Sequence, residues 1–417
     1  MNDPEKLRRD DLLLKYQNSE EYKKKVVDRL KIQDACQRSN EAKVYALAAC
    51  KADPVFFFNT FCWTPNDKYD QYHFPFILYD FQEDYVRWVN DHINQGKDGV
   101  IEKSREMGVT WLTITLFLWK WLFDDNFNAL IGSYKMELVD DKSKDSLFCM
   151  LDYIIRLLPR WMLPKKFRFS VHRNSMKLVN PENSNIIKGD TMNPEFGRGS
   201  RRTCIFMDEG AHWEYFQDAW DSCSDTTHCR LTVSTPLGYN AFANLRNSGA
   251  ADVKTVHWRL HPLKDEQWYE YEKSRRTDDN VAQELDISYN KSQKGRVYPE
   301  WDNVITGAFP YDFNLPLYVS WDFGASDDTA IIWWQKQVDG RYRIVDCYWN
   351  NGKTIDYYVP FITGIMPSDG YKYSNRDFEV IEQHRGWQRG THFGDPAGRF
   401  RNMVVNKTVM DVLRENG

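Results

Sequence analysis

Lys103-Ser-Arg-Glu-Met-Gly108-Val-Thr110 is the stretch on which the fold turns. It follows the apolar pair Val100-Ile101 and runs directly into an apolar, helix-like block from Trp111 to Phe123. A strand that ends in a tight loop and opens a helix points backbone N–H groups into the loop. The helix N-terminus adds partial positive charge, so the pattern suits phosphate. Gly108 lets the backbone come close to a phosphate, and Thr110 stands where a hydroxyl would hold Mg2+. The usual pattern G-x-x-x-x-G-K-[ST] is not met: Lys103 occupies its first glycine position and Val109 its lysine position. Lys103 is the only lysine of the loop, and from the strand end it can reach the β- and γ-phosphates from the opposite side. Taken alone, the stretch also reads as an ordinary strand–loop–helix connection.

Further along, Cys204-Ile-Phe-Met-Asp208-Glu209 puts four apolar residues before two acids. A buried strand would leave both carboxylates at its carboxyl end, where ligands of open α/β sheets bind. Asp208 would hold Mg2+ through water, and Glu209 would orient and deprotonate an attacking water. Two acids at an exposed strand tip are common, but the two motifs in this order point to a nucleoside triphosphate site.

The chain has 417 residues, enough for two or three domains, and a net charge of −5, so any nucleic-acid contact must come from local basic patches. Aromatic residues make up 15%, including 16 Trp, which suits filled cores or stacking surfaces rather than disorder. The eight cysteines show no C-x-x-C pair and no metal-site spacing, and read as reduced core thiols of an intracellular protein. The charged N-terminus is unlike a signal peptide. The most apolar block is too short to span a bilayer and contains Lys120, so a soluble cytosolic protein is expected.

Residues 1–50 are charged and read as two amphipathic helices, either a solvated appendage or an oligomer contact. Upstream of the phosphate loop, Tyr79-Asp-Phe81-Gln82 suits recognition of adenine, with Gln82 on the base edge and Phe81 or Tyr79 packed nearby; a plain helix start fits equally. Strand and helix patterns then alternate: strands at 128–133, 175–180, 185–188, 204–207 and 231–234, and a helix at 137–158. Such alternation implies a parallel sheet covered by helices. Ser234-Thr235-Pro236 ends the last of these strands and places a hydroxyl, that of Thr235, beside a γ-phosphate. Gly197-Arg198-Gly199 leaves Arg198 on a mobile loop, able to reach a neighbouring subunit's γ-phosphate or simply to form a basic surface turn. Residues 251–311 read as a charged linker or subdomain with helical stretches at Asp265 to Arg276 and Asn280 to Leu285. The sheet signal restarts with Leu317 to Asp322 and a following meander, and His392-Phe-Gly394-Asp395-Pro396 puts a second aspartate at a strand end. Two carboxylates on adjacent strands, Asp322 and Asp395, are what a two-metal phosphodiesterase needs for Mg2+ or Mn2+.

With these pieces assembled, the chain resembles the large terminase subunit of tailed bacteriophages over roughly residues 75–417. The family's ATPase loop often carries its lysine at the front, as Lys103 does, and its Ser-Arg-Gln-x-Gly-x-Thr is matched by Ser104-Arg105-Glu106-Met107-Gly108-Val109-Thr110, with Glu in place of Gln. The acidic motif matches Asp208-Glu209, the coupling motif Ser234-Thr235-Pro236, and the trans-acting arginine falls near Arg198. The RNase H-like half is similar at Asp322 and Asp395. The resemblance implies an α/β protein: a charged helical segment (1–50), an ASCE/RecA-like P-loop ATPase domain (51–250), a linker (251–311) and a partial RNase H-like nuclease domain (312–417). The nuclease domain is expected to be incomplete at its C-terminus, because the family's third metal-binding acid lies beyond the Gly-Asp-Pro element. The implied function is packaging of double-stranded viral DNA, driven by ATP and Mg2+, with metal-dependent cutting of concatemers. The implied partners are DNA, a portal on a procapsid, a small terminase subunit and further copies of the chain in a ring of five, in the host cytoplasm and away from membranes. DNA grip would come from Lys165-Lys166-Phe-Arg168, Arg201-Arg202 and Arg385 to Arg401, or these are solvated basic faces.

Two rival readings remain. A helicase-like DNA translocase with a nuclease appendage, acting in repair, needs a second RecA-like lobe, and only one phosphate loop is present. A non-catalytic scaffold that binds nucleotide structurally has no use for a water-activating acid such as Glu209.

Overall fold

The computed structural model describes residues 4–65, 73–141, 145–289, 307–322, 329–365, 372–388, 390–394, 408, 411 and 414–415, with the backbone alone for 4–7 and 9. The chain divides into two compact units at Val297/Tyr298.

The first unit opens with four helices, α1 (Pro4–Gln17), α2 (Glu20–Arg38), α3 (Asn40–Ala52) and α4 (Pro54–Phe61). The two helices expected in residues 1–50 are three, because Ser19 and Ser39 each stop one helix and cap the next. Ser19 Oγ accepts from the Tyr22 N–H, and Ser39 Oγ from those of Glu41 and Ala42. Asp53 caps α4, with Pro54 at its first position. Strands β1 (Trp63–Pro65) and β2 (His73–Pro75) pair antiparallel, and α5 (Asp80–Gln95) follows. Then come β3 (Gly99–Lys103), α6 (Val109–Phe123), β4 (Asn128–Ser133), α7 (Met136–Val139) and α8 (Leu147–Leu157). The helix expected over 137–158 is thus broken, and Ser146 caps its second part.

Short α9 (Phe169–His172) leads to β5 (Arg173–Asn174), β6 (Lys177–Val179), β7 (Ile186–Thr191) and β8 (Cys204–Asp208). The unit continues with α10 (Phe216–Ser222), β9 (Arg230–Ser234), α11 (Ala241–Ser248), β10 (Asp252–Val256), α12 (Glu266–Ser274) and α13 (Asp278–Glu284). Residues 251–289, expected as a linker or subdomain, fall within this unit, where β10 pairs parallel with β3 along its whole length.

Eight strands form one sheet in the order β10-β3-β9-β8-β4-β7-β6-β5, parallel from β10 to β7 and antiparallel at the β7-β6-β5 edge. All five residues of β3 and of β8 are buried, as expected of parallel strands covered on both faces. Successive side chains alternate between two cores. Ile101, Ile131 and Phe206 face a core shared with α4, α5, α6 and α8, whereas Val100, Leu130 and Met207 face Phe216, Trp220 and Phe242 of α10 and α11. Helix α6 is apolar around its circumference and so must be covered on every side. The N-terminal helices do part of this covering: Trp119 Nε1 donates to the Cys50 carbonyl of α3 at 2.6 Å. The N-terminal segment is therefore integral to the first unit and not a solvated appendage. Arg29 of α2 is 2% exposed, donates to the Asn59 carbonyl at 3.0 Å and lies over the Trp63 ring.

In the second unit β11 (Leu317–Asp322), β12 (Thr329–Lys336) and β13 (Tyr342–Asn350) form the expected antiparallel meander. Helices α14 (Ile355–Thr363) and α15 (Asn375–His384) then lead to β14 (Thr391–Gly394), which pairs parallel with β11. The strand order is β13-β12-β11-β14. Val319, Trp321, Ile331 and Trp333 pack against Tyr357, Tyr358, Phe361 and Ile381 of the helices.

All eight cysteines are free thiols; six are buried and Cys347 is exposed. Among the described residues no helix is long and apolar enough to cross a membrane.

Candidate active site

Strand order decides where the chemistry-bearing residues meet. β9 lies between β3 and β8, so the ends of β3 and β8 are two strand spacings, roughly 10 Å, apart. Side chains at the carboxyl ends of these strands converge over that gap. Lys103 Nζ, from β3, lies 3.0 Å from Glu209 Oε1, just past β8. Thr110 Oγ1, at the start of α6, donates to Asp208 Oδ1 at 2.9 Å. Ser234 Oγ, from the end of β9, donates to Glu209 Oε2 at 3.3 Å. Lys103, Thr110, Asp208 and Glu209 are brought together as the sequence suggests. Of the residues at the end of β9, however, it is Ser234 and not Thr235 whose hydroxyl is bonded to the acid, and Thr235 is buried. The alternation of a strand that ends at Ser234 could have told the two apart.

The loop itself is held open in a special conformation. Gly108 has φ +75°, which glycine adopts without steric cost. Glu106 (φ +58°) and Glu209 (φ +52°) are two of the five non-glycine residues with positive φ among the described residues. Such backbone strain gathers where surrounding structure enforces it, commonly at functional sites. Here the enforcing contacts are visible. The Ser104 N–H donates to the Val256 carbonyl (3.0 Å) and the Arg105 N–H to that of Glu284 (2.7 Å). Ser104 Oγ donates to the Leu285 carbonyl at 2.6 Å, and the Arg105 guanidinium lies 3.5 Å from Glu284. Lys264 Nζ donates to the carbonyls of Arg105 (2.7 Å) and Glu106 (3.4 Å) and approaches Met107 Sδ (3.8 Å). Lys264 escaped the sequence reading, because nothing local marks a lysine in a connector as belonging to a loop far upstream. On the acidic side, Trp213 Nε1 donates to the Asp208 carbonyl at 2.9 Å and fixes the strand end.

The two carboxyls are in different electrical states. Burial, reinforced by the adjacent Glu209 charge, pushes Asp208 up to about 7. Burial also opposes the charge on Glu209, but the Lys103 charge and hydrogen bond outweigh it and hold this carboxyl below its usual range. Glu209 is thus the ionised acid of the pair. No ion pair to Asp208 occurs among the described residues, and with the Thr110 hydroxyl it offers the hard oxygen ligands that Mg2+ takes. The residues present fit that ion.

A folded-state value near 7 against about 3.9 for an unfolded aspartate means that the protein holds an extra proton between those limits. Empty-site stability therefore falls as pH rises through that window. Asp208→Asn should stabilise the nucleotide- and Mg2+-free protein at pH 8 by on the order of 2–4 kcal/mol, and by less at pH 5, and so raise its melting temperature. Thermal melts at the two pH values read this directly; a variant less stable than wild type at pH 8 contradicts it.

Gln82 is 6% exposed. Its Oε1 accepts the Tyr79 N–H at 3.2 Å, which orients the amide and turns Nε2 toward Gly108. Arg198 is exposed and paired with Glu195 at 3.1 Å; no hydrogen bond among the described residues joins it to the acid cluster. Its loop is less free than expected, since a Cβ on Gly197 would lie 2.3 Å from Cys223 Sγ. Lys165, Lys166 and Arg168 are exposed, Arg202 is half-buried, and Arg385 pairs with Glu382 at 2.8 Å. In the second unit Asp322 is the exposed last residue of β11, beyond the Trp321–Gly394 pairing with β14. Asp395 and the rest of the 395–401 basic stretch lie outside the described residues. No group of three or more His, Cys, Asp or Glu that could hold a metal occurs among the described residues.

No family model matches the chain, and no curated protein matches it in sequence. Solved structures similar to it include the large terminase of a thermophilic bacteriophage in complex with ADP (TM-score 0.39, 14% identity, covering 67% of this chain and 71% of that one). The large terminase of bacteriophage HK97 is also similar (TM-score 0.42, 15% identity, 72% and 67% covered). So is the SWI2/SNF2 ATPase core of Sulfolobus solfataricus in complex with double-stranded DNA (TM-score 0.28, 14% identity, 45% and 36% covered). Likenesses this slight leave function to be argued from the site.

Proposed function

We propose that the first unit hydrolyses ATP to drive double-stranded DNA into a viral procapsid, and that the second cuts DNA with Mg2+ or Mn2+. The observation that carries the first half is the convergence of Lys103, Thr110, Asp208, Glu209 and Ser234 at the carboxyl ends of β3, β9 and β8, beside the opening of α6. An extra strand between the phosphate-loop strand and the acidic strand is the mark of the ASCE arrangement, and β9 holds that place. Triphosphate would lie along residues 103–110 with its γ-end over the gap between β3 and β8. Helix α6 supplies N–H groups of its first turn, which have no intrahelical acceptor. Thr110 and Asp208 would hold Mg2+, which would supply charge neutralisation on the phosphate oxygens. Glu209 orients the attacking water and takes its proton, and Ser234 registers the state of that acid on the adjacent strand.

The nuclease reading rests on less. What supports it is Asp322 at the end of a central strand, in a meander extended by a parallel strand as in RNase H-like domains. Asp322→Asn should abolish Mn2+-dependent cleavage of plasmid DNA, and cutting at the wild-type rate excludes a metal role for this residue. Arg198 is proposed to act on a neighbouring subunit's nucleotide in a ring on the portal, with a small terminase subunit delivering the DNA. Arg198→Ala should then lower ATPase activity about 10³-fold in assemblies and leave isolated subunits unaltered; equal losses in both rule out action in trans.

ATP hydrolysis with and without empty portal-bearing procapsids tests the whole reading. Stimulation by procapsids is expected of a packaging motor. A helicase-like repair translocase would respond to DNA alone, with no effect of procapsids, and that result would overturn the proposal.

A further inference from the structure

The first unit holds a cavity of about 770 Å3 beside the phosphate loop, bounded at one end by Glu106, Met107 and Gly108. Its size is that of a small-molecule site. Its far wall is made by the N-terminal segment: Leu13, Tyr16 and Gln17 of α1 and Tyr22 of α2. Aromatic rings are linked around the opening. Tyr16 meets Tyr79 edge-on at 4.9 Å between centroids, and Tyr79 lies 4.9 Å from His261, with Phe81 stacked behind it at 6.0 Å. Trp111, in the first turn of α6, lines the same space.

Helix α1 is fastened at both ends of its course past this cavity. Arg8 pairs with Asp265, the cap of α12, and Tyr16 seats on Tyr79. The next helix is fastened too, since Lys25 Nζ donates to the Leu78 carbonyl (3.3 Å) and to Glu83 (2.9 Å). Inside, Gln82 contributes an oriented polar group. Because a backbone N–H must meet its oxygen, its amide nitrogen is the atom turned toward Gly108, and no acceptor for that nitrogen occurs among the described residues.

Resting on the assignment of residues 103–110 to triphosphate, we propose that α1 is part of the nucleotide site: Tyr16, with Tyr79 and His261, clamps a purine base whose edge accepts a hydrogen bond from Gln82. An aromatic clamp of this kind binds through ring faces, which every base presents, and the amide adds a fixed donor at the base edge. The N-terminal segment thereby becomes a strap that closes on the base and not on the phosphates. Occupancy of the site then holds α1 against α5 and the chain before α12.

The test uses the full chain and two probes, ATP and inorganic tripolyphosphate, titrated against wild type, Tyr16→Ala and Tyr16→Phe. Loss of a base-stacking ring is expected to weaken ATP binding by about 5- to 150-fold in Tyr16→Ala, with Tyr16→Phe close to wild type and tripolyphosphate bound equally by all three. ATP affinity unaltered in Tyr16→Ala overturns the proposal, and so does an equal loss toward both probes. A wild-type chain that binds tripolyphosphate as tightly as ATP overturns the base clamp alone. One that binds neither probe overturns the phosphate-loop assignment itself. Limited proteolysis of the wild type gives an independent reading. ATP, and not tripolyphosphate, should slow cleavage at the α1–α2 junction around Asn18, and protection by both or by neither contradicts the strap.

Discussion

Glutamine in place of Glu209 should leave ATP bound and stop its hydrolysis. The side chain keeps its size; Lys103 Nζ and Ser234 Oγ donate to the two carboxylate oxygens at 3.0 and 3.3 Å, and in the amide the single oxygen can still accept from Lys103 while the NH2 group donates to the Ser234 hydroxyl. What disappears is the ability to take a proton from water, an interaction made only as the reaction proceeds. Turnover is expected to fall by about 10²–10⁴ while the ATP dissociation constant stays within about threefold. Phosphate release under saturating ATP and equilibrium titration of the same preparation separate the two quantities. Hydrolysis near the wild-type rate would remove Glu209 as the base. A parallel loss of binding would mean that the carboxylate holds the loop together instead.

Lys103→Met should damage both binding and stability, because Lys103 serves the empty and the filled site differently. In the empty site it is 7% exposed and neutralises Glu209. Breaking one half of a buried pair typically costs about 3–5 kcal/mol, since the remaining charge stays buried. The pH dependence has a definite sign. Glu209 is held below its usual range, so its contribution is present above the unfolded value near 4.3 and is lost as pH falls through the lower folded value. The gap in stability between wild type and variant should therefore be wide at pH 8 and narrow as the pH falls below the unfolded value. Adding Glu209→Gln to Lys103→Met should restore much of the lost stability without restoring hydrolysis, as coupling between contacting residues demands. In the filled site the same lysine can turn to the phosphates, and ATP affinity is expected to fall by about 10- to 100-fold in Lys103→Met. A variant as stable as wild type at pH 8 that also binds ATP normally would show that Lys103 has neither role.

Much of this site was legible in the chain because its parts are local. A strand, a glycine at positive φ and an apolar helix lie within one short stretch, and the acids directly end another apolar run. Gln82 was likewise readable, since a capping glutamine at the start of α5 is fixed by its own helix. Beyond the helix breaks set by local serine caps, the misreadings share one cause: they concern residues whose partners are distant in sequence. Residues 251–289 look like a charged connector until β10 is seen paired with β3, and Lys264 looks like any surface lysine until it meets the Arg105 carbonyl. The N-terminal helices carry enough charge to suggest a free appendage, yet α6 is apolar all round and needs their cover.

By itself, then, the amino-acid order determined most strands and helices, the glycine at positive φ in residues 103–110 and the pair of acids, because helix caps, glycine torsions and apolar runs act within a few residues. Tertiary structure alone decided that β9 separates β3 from β8, that Lys103 reaches Glu209 across that gap, that Ser234 and not Thr235 touches the acid, and that α1 walls the cavity beside the loop. Strand order and helix docking are set by which apolar faces must be buried against each other. That balance is struck over the whole unit, and no single segment of sequence carries it.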